Sequence, residues 1–192
     1  MMQRIIVGIS GASGAILGQR VLKLLNQAVD VESHLVVTPA AERTISLELE
    51  GVTRQSLEEM ASFCHSCNDV SSPIASGSFR SDGMIIAPCS MRTLSAIAHG
   101  LADNLLTRAA DVTLKERRRL VLLAREAPLH AGHLEAMVKV TNLGGIIFPP
   151  VPAFYAKPRT IDDIVTQIAA RSLELLGLDV ENSIRRWGSK PD

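Results

Sequence analysis

The chain has 192 residues, 46% of them hydrophobic, and its 20 lysines and arginines are balanced by 20 aspartates and glutamates. This composition excludes a disordered chain, and the zero net charge excludes the extended basic surface typical of proteins that bind nucleic acid or anionic membranes. The length suits a single domain, residues 1–192.

The start of the chain and its cysteines predict a cytoplasmic protein. The first residues, M-M-Q-R-I-I-V-G-I-S, lack the basic start, apolar run and cleavage site of a signal peptide, and no apolar stretch of the sequence reaches the length of a membrane span. Cys64, Cys67 and Cys89 are too few, and odd in number, for a disulfide framework.

The first third of the chain predicts two strand–helix units. Residues 4–9 are rich in β-branched side chains and end at glycines, which predicts a buried strand, and apolar residues recur at helical spacing over residues 16–25. Residues 32–38 predict a second strand, and Pro39 suits the first turn of a helix that extends to residue 49. The pattern over residues 54–63 allows a third helix.

The middle of the chain repeats this alternation. Residues 71–81 are rich in Ser, Pro and Gly and predict a loop, and residues 82–87 predict a strand that Pro88 ends. Ser90 or Thr93 would cap the helix that follows, which extends to His99. A helix over residues 104–117 and a strand over residues 119–124 come next.

The last third adds two helices around an irregular segment. Residues 130–143 predict a helix, and residues 146–147 a very short strand. Four prolines exclude regular structure over residues 148–159. Residues 160–163 resemble a capping box and open a last helix to residue 176.

Strands that alternate with helices and are apolar on both faces predict a parallel sheet covered on both sides. The expected fold is therefore α/β, a Rossmann-like or flavodoxin-like three-layer sandwich. In such folds ligands bind at the carboxyl ends of the strands.

Two polar turns follow predicted strands and are candidates for this ligand site. Residues 8–14, G-I-S-G-A-S-G, would let backbone amides approach a phosphate, or would form a plain tight turn. Residues 87–93, A-P-C-S-M-R-T, offer Ser90 and Thr93 either to a phosphate or to the next helix as caps. The turn over residues 8–14 matches neither the dinucleotide nor the P-loop pattern.

Two further segments carry chemistry-bearing side chains. Arg125 and Glu126 follow the fourth predicted strand, where idle burial of charge would be costly, and an exposed salt bridge is the alternative. Tyr155 lies in the proline-rich run P-P-V-P-A-F-Y, which would hold an aromatic ring over a cleft or merely cover the core.

The sequence predicts no metal site. Cys64 and Cys67 form a C-x-x-C pattern without a second pair, and His130 and His133 lack a strong third ligand. Lys115 begins the run K-E-R-R-R, which is typical of a solvated face but could present one cation to an anion.

These motifs resemble those of the UbiX-type flavin prenyltransferases over residues 4–187. The most specific stretch is P-C-S-M-R-T-L-S-A-I-A-H-G-L-A-D-N-L-L-T-R-A-A-D-V-T-L-K-E-R-R, followed by R-E-A-P-L and P-P-V-P-A-F-Y. The resemblance implies a flavodoxin-like homo-oligomer, a dodecamer, that joins the dimethylallyl group of dimethylallyl monophosphate to reduced FMN without a metal. The product, prenylated FMN, would serve a UbiD-type decarboxylase in ubiquinone synthesis or in the breakdown of phenolic acids.

The resemblance also implies roles for individual residues. Those expected to contact FMN are Gly11, Ala12, Ser13, Thr38, Ser90, Met91, Arg92, Thr93 and Arg125. Those expected to hold the phosphate of the allyl substrate are Tyr155, Arg171 and, from another subunit, Lys115. Those expected to act in catalysis are Ser13, Glu48 and Glu126. Thr38 stands where the family usually has Ser and keeps the hydroxyl, whereas Arg108 receives no firm role.

Two other functions remain open. A phosphopantothenoylcysteine-type decarboxylase shares the fold, but it needs a histidine after the second strand, and the chain has none between His34 and His65. A flavin-carrying small subunit of an aromatic-acid decarboxylase would bind the same cofactor. Stable complex formation with the decarboxylase would distinguish that subunit from an enzyme that supplies the prenylated flavin.

Overall fold

The computed structural model describes residues 2–180 and 184–188; the ends of the predicted domain and residues 181–183 lie outside this range. The described strands are, in chain order, β1 Gln3–Ile9, β2 Val31–Val37, β3 Phe63–His65, β4 Gly83–Cys89, β5 Arg119–Ala124 and β6 Ile146–Ile147. All of them pair in parallel in one sheet of order β3-β2-β1-β4-β5-β6.

Helices connect the strands and cover the sheet. They are α1 Ala15–Gln27, α2 Pro39–Glu48, α3 Arg54–Glu58, α4 Met91–Ala98, α5 Leu105–Lys115, α6 Ala131–Asn142 and α7 Ile161–Glu174, with 3₁₀ turns at Pro73–Ala75 and Phe154–Ala156. Polar side chains begin several of them. Thr160 forms the predicted capping box with Asp163, which satisfies amides that a helix start leaves unpaired.

Successive residues of β1 face opposite sides of the sheet and define the two halves of the core. Ile5 packs with α1, α2 and α7, whereas Ile6 packs with α4, α5 and α6. The central strand β4 is buried along its whole length, as expected for a strand with helices on both faces. The predicted α/β sandwich with a parallel, flavodoxin-like sheet is confirmed.

The sequence prediction was wrong at the outer edge of the sheet. The helix allowed over residues 54–63 ends at Glu58, and Phe63–His65 instead forms β3, paired with β2. A strand of three residues is too short to show an alternating pattern, so pairing with its neighbour decides its structure.

Two proline-rich places also differ from the prediction. Pro88 does not end β4, which continues to Cys89 with a shift of register relative to β5 between Ile86 and Cys89. A proline is tolerated inside a sheet at such an irregularity, because no ladder hydrogen bond needs its amide. The segment with four prolines contains the short 3₁₀ turn Phe154–Ala156.

Candidate active site

The polar turns predicted from the sequence meet at one edge of the sheet. Loop 10–14 follows β1, Thr38 follows β2, Ser90 follows β4 and Arg125 follows β5. Since β2 lies on one side of β1 and β4 on the other, the chain changes direction across the sheet at β1, which is where α/β folds bind ligands.

Ser10, which the sequence analysis did not select, joins the two central turns. Its side chain is 1% exposed. The Ser10 hydroxyl donates to the carbonyl oxygen of Pro88 at 3.0 Å and accepts from the amide of Ser90 at 2.8 Å. This pair of bonds fixes the distance between the turn after β1 and the start of α4. Only the paired strands reveal the role, because 80 residues separate Ser10 from Ser90.

The turn after β1 is shaped by close backbone contacts. A Cβ atom on Gly11 would lie 2.5 Å from the Cβ of Ala40, so a side chain there would push α2 away. Gly14, the N-cap of α1, has a φ of 108° in the left-handed region, which favours glycine. The amides of Gly11 and Ser13 donate to no group in the described part of the chain and are therefore available to a ligand.

Glu48, the last residue of α2, holds this turn from the other side. Its Oε2 accepts from the amides of Gly14 and Ala15, each at 2.9 Å. Burial alone would raise the pKa of Glu48, but hydrogen bonds from Ser13 and from those two amides, with the charge of Arg125, lower it below its ordinary value. These bonds favour the ionised carboxylate, which positions the turn, and the predicted role of Glu48 in catalysis remains a prediction.

The starts of α2 and α4 also face this edge. The hydroxyls of Thr38 and Ser90 accept from the amides of Ala41 and Thr93 at 3.1 and 3.3 Å, so both side chains cap helices, a role that the sequence allowed for Ser90 and did not predict for Thr38. The first-turn amides of Met91 and Arg92 donate to no group among the described residues. Helix starts of this kind attract phosphate.

A cleft of about 510 Å³ opens between these elements. The lining residues that the sequence predicted are Gly11, Thr38, Ser90, Arg92 and Thr93. Those that it missed are Pro39, Ala40, Cys67, Asn68, Asp103 and Asn104. The missed polar residues come from the turn after β3 and from the α4–α5 connection, which no local pattern links to the site. Arg92 forms an ion pair with Asp103 across the rim.

Arg125 and Glu126 extend beyond the end of β5, and both are exposed in the single chain. The amide of Arg125 donates to the carbonyl oxygen of Cys89 at 3.1 Å, and a Glu126 oxygen accepts from the amide of Ala127 at 3.1 Å. No ion pair joins Arg125 to Glu126 in the described structure. The carboxyl group of Glu126 is thus not neutralised by its neighbour.

Two of the residues predicted for the substrate phosphate, Lys115 and Arg171, do not lie at this edge in one chain. Lys115 ends α5 beside Gly77 and pairs with Glu116. Arg171 lies in the last turn of α7 and pairs with Glu174 at 2.9 Å.

The ring of Tyr155 packs edge-to-face on Trp187, with 5.4 Å between the ring centres. Arg108, on the first turns of α5, bonds Asp111 and the carbonyl oxygen of Ala75. The predicted roles of these residues remain predictions.

The histidines on α6 have local contacts. The rings of His130 and His133 stack with 3.6 Å between their centres, and His130 caps α6 by accepting from the amide of Gly132. Among the described residues, no group of three or more His, Cys, Asp or Glu side chains has a geometry suited to a metal ion. No helix in that part of the chain is long and apolar enough to cross a membrane.

Known proteins resemble this chain in sequence and in fold. The model of the Flavoprotein family matches residues 1–173. A flavin prenyltransferase UbiX from Neisseria meningitidis is 54% identical over 188 residues, which cover 98% of each chain. The chain belongs to the UbiX flavin prenyltransferase family.

Solved structures of the UbiX family agree with this assignment. AnUbiX, crystallised with FMN and dimethylallyl pyrophosphate, is 48% identical, with a TM-score of 0.95 over 100% of both chains. A dodecameric FMN-dependent UbiX-like decarboxylase from Escherichia coli O157:H7 is 46% identical, with a TM-score of 0.94 over 97% of this chain and 100% of that one. A PPC decarboxylase is only 22% identical, with a TM-score of 0.62, and that likeness shows the fold alone.

Proposed function

We propose that this UbiX-family chain binds FMN in the cleft and, when the flavin is reduced, transfers to it the dimethylallyl group of dimethylallyl monophosphate. The observation that carries the proposal is the cleft itself, at the point where the chain changes direction across the sheet, lined by hydroxyls and by amides that donate to no described group. A solved relative with the same fold over its whole length holds FMN and dimethylallyl pyrophosphate.

The cleft suits FMN in size and in chemistry. Its volume of about 510 Å³ lies in the range of small-molecule sites. The amides of Gly11, Ser13, Met91 and Arg92 and the hydroxyl of Thr93 would bind the FMN phosphate. Thr38 would contribute its hydroxyl and Arg125 its charge. Donors that are already oriented bind an anion without a metal ion.

Reduced flavin supplies an electron-rich ring nitrogen, which accepts the allyl group. The residues of the chain must then stabilise the departing phosphate and move one proton. The hydroxyls of Ser13 and Tyr155 and the charges of Lys115 and Arg171 suit the phosphate, since charge-assisted hydrogen bonds to phosphate are strong. Glu126 suits the proton transfer, because its carboxyl group is exposed just beyond the end of β5 and forms no ion pair with any described residue.

We propose an oligomer, and specifically a dodecamer, as the working form. Lys115 and Arg171 end helices that run away from the cleft, so these cations would have to come from other copies of the chain. A solved relative at 46% identity is dodecameric. Each active site would then combine the cleft of one chain with cations of its neighbours.

The decisive experiment is the mass of the flavin after turnover. The purified protein is loaded with FMN, reduced without oxygen and incubated with dimethylallyl monophosphate or, in parallel, with the diphosphate. We expect an extracted flavin heavier by one dimethylallyl unit with the monophosphate, and a slower reaction or none with the diphosphate. Unmodified flavin from protein shown to bind FMN would contradict the proposal.

The second candidate function is that of a decarboxylase or of its flavin-carrying subunit, since one solved relative is described as an FMN-dependent decarboxylase. FMN-loaded protein alone, given an aromatic acid, should release no carbon dioxide if our proposal is correct. We further propose that prenylated FMN passes to a UbiD-type decarboxylase in the cytoplasm. A stable complex of the two proteins in gel filtration would instead favour the subunit.

A further inference from the structure

A partly buried chain of hydrogen bonds lies at the β2–β3 edge of the sheet, outside the cleft. Nδ1 of His34, on β2, is 3.0 Å from Nε2 of His65, on β3. Nε2 of His34 is 2.8 Å from a carboxylate oxygen of Glu32, and Nδ1 of His65 is 2.8 Å from the hydroxyl of Ser72. His34 and Ser72 are each 5% exposed, whereas Glu32 and His65 are half-buried. Water therefore has little access to the hydrogen bonds that His34 and Ser72 form.

The partners fix where the protons lie. The hydrogen bond from His34, more than any other cause, lowers the pKa of Glu32, burial opposes it and Arg4 adds to it, so Glu32 is a carboxylate that can only accept. Nε2 of His34 therefore carries a hydrogen and Nδ1 accepts from Nε2–H of His65. Nδ1 of His65 in turn accepts from the hydroxyl of Ser72. Every polar atom is satisfied while both rings are neutral.

One added proton can be accommodated, but a second cannot. A proton on Nδ1 of His34 reverses the bond between the rings, and His65 then donates from Nδ1 to Ser72. With a second proton, both facing nitrogens would carry hydrogens at a separation of 3.0 Å, and the bond would be lost. The pair is thus intact with no proton or one proton beyond the neutral state.

The surroundings oppose that second charge. Burial lowers the pKa of His65, the charge of His34 acts in the same direction, and Asp69 opposes both. The ring of His34 stacks on Phe63 and meets the edge of Phe79.

Charged groups on neighbouring elements complete the environment of the pair. Arg4 on β1 bonds Glu32 and lies over the Phe79 ring, and its amide bonds Asp82. Arg118 binds the carbonyl oxygens of Gly77 and Phe79.

The His34–His65 bond stabilises β3, whose own strand pairing is short. β3 has three residues, pairs only with β2 and forms the outer edge of the described sheet. Its hydrogen-bonded ladder is therefore short, and edge strands of this length are weakly held by pairing alone. The bond from His65 to Ser72 also ties the two ends of the turn that follows β3.

That turn forms part of the cleft. Cys67 and Asn68 line the cavity, and the carbonyl oxygen of Cys67 accepts from the amide of Leu105 at 2.8 Å. Leu105 is the first residue of α5, directly after Asp103 and Asn104, which line the cavity as well. A displacement of His65 would therefore reach two walls of the cleft.

We propose that His34 and His65 are a positioning pair, which sets two walls of the flavin cleft and does so only while the two rings share no more than one extra proton. Neither ring touches the cleft, so the pair acts through the Cys67–Asn68 turn and the start of α5. Acid would release β3 and widen the cleft. The proposal relies on FMN binding, the function proposed above, as its reporter.

The test is the pH dependence of FMN affinity, measured by flavin fluorescence from pH 8 to pH 5 on the full chain, with the melting temperature recorded at each pH. The wild type should lose affinity steeply below pH 6.5, by up to about tenfold for each unit by which cofactor binding shifts a histidine pKa. His65→Gln keeps a donor towards His34 but cannot titrate. It should bind FMN less tightly at pH 7.5 and show a flatter profile.

The control is His99→Gln, which changes an exposed histidine bonded to the carbonyl oxygen of Ser95. It should reproduce the wild-type profile. The FMN phosphate also titrates near pH 6, but it does so equally with every variant, so differences between profiles report on the protein. A His65→Gln profile as steep as that of the wild type would overturn the proposal.

Two further measurements keep the test decisive if His65→Gln does not fold. Ser72→Ala removes only the outer hydrogen bond and should weaken FMN binding in the same direction, and unchanged affinity would count against the pair. Imidazole ¹⁵N spectra of the wild type, taken without FMN, should show one proton shared between the two rings. Two independent cationic rings in the folded protein would refute the pair, whereas a wild type that bound no FMN at any pH would refute the proposed function.

Discussion

The two edges of the sheet at which the strands end and begin, called here the carboxyl edge and the amino edge, are built differently. At the carboxyl edge the side chains of one chain converge: Ser10 joins two turns, and Glu48 holds the turn that contains Ser13. At the amino edge Lys115 and Arg171 end their helices, each paired with an acid of its own helix or the residue next to it. α5 is about 16 Å long for its 11 residues, so Lys115 cannot reach the cleft of its own chain. If the proposed function is correct, one chain supplies most of the flavin cleft, and the cations for the substrate phosphate come from other chains.

The largest effect expected at the carboxyl edge is that of Glu126→Gln. The amide keeps the shape of the side chain but cannot take or give the proton, so turnover should fall about 10²–10⁴-fold while FMN affinity stays unchanged. Single-turnover kinetics with reduced FMN would measure the first quantity and fluorescence titration the second.

The matched control is Glu135→Gln, the same change at an exposed position of α6. It should leave both quantities at wild-type values. Unchanged turnover in Glu126→Gln would remove Glu126 from the chemistry and leave the proton transfer to water or to the substrate.

Lys115→Ala tests the proposed role of this lysine in binding the substrate phosphate. It should lower kcat/KM about tenfold to a hundredfold, as loss of one charge-assisted bond to phosphate does. If the lysine serves a neighbour, co-expression of Lys115→Ala with Glu126→Gln should restore activity. Random mixing gives about a quarter of the sites both an intact Glu126 and an intact Lys115 from another copy.

Lys139→Ala is the control for this experiment, since Lys139 likewise lies in the last turn of its helix, α6. It should retain full activity. If the mixed oligomers regain no activity, Lys115 does not act across subunits. The proposal that the cations at the amino edge serve neighbouring sites would then be wrong.

Ser10→Ala should have a smaller effect, on stability and on the cofactor together. It leaves the Ser90 amide without its acceptor, which costs about 1–3 kcal/mol of unfolding free energy. FMN affinity should fall too, because the turns after β1 and β4 lose their link. Urea denaturation would measure the cost, with Ser46→Ala on the surface of α2 as the control. Equal unfolding free energies for the variant and the wild type would show that the link is not needed.

The smallest effect expected is the acid dependence contributed by Glu48. Folding lowers the pKa of this carboxyl below 4.5, so its stabilising effect is present above that pH and disappears as the pH falls through the folded value. The unfolding free energies of wild type and Glu48→Gln should therefore differ at pH 6 and converge as the pH falls well below 4.5. Glu50→Gln, also exposed, should track the wild type, and a constant gap for Glu48→Gln would contradict the linkage.

Much of the fold could be read from local patterns, and the exceptions have a common cause. Buried strands such as β1, and helix starts such as Thr38 before α2, carry their signals within a few residues. β3 carries none, because its three residues are held by β2 and by the bond from His34 to His65. The site shows the same division, since the caps at Thr38 and Ser90 are local whereas the Asn68 and Asp103 walls of the cleft are not.

The sequence by itself determined the alternation of strands and helices, the polar turns after β1 and β4, and membership of the family, because each depends on neighbouring residues or on a long specific motif. Only the tertiary structure decided which distant groups meet. Ser10 reaches Ser90 because parallel strands place their carboxyl ends together, and Glu48 holds the Ser13 turn because α2 packs beside α1. Lys115 and Arg171 are carried to the opposite edge because α5 and α7 run against the strands, and no pattern in the sequence records where a helix ends in space.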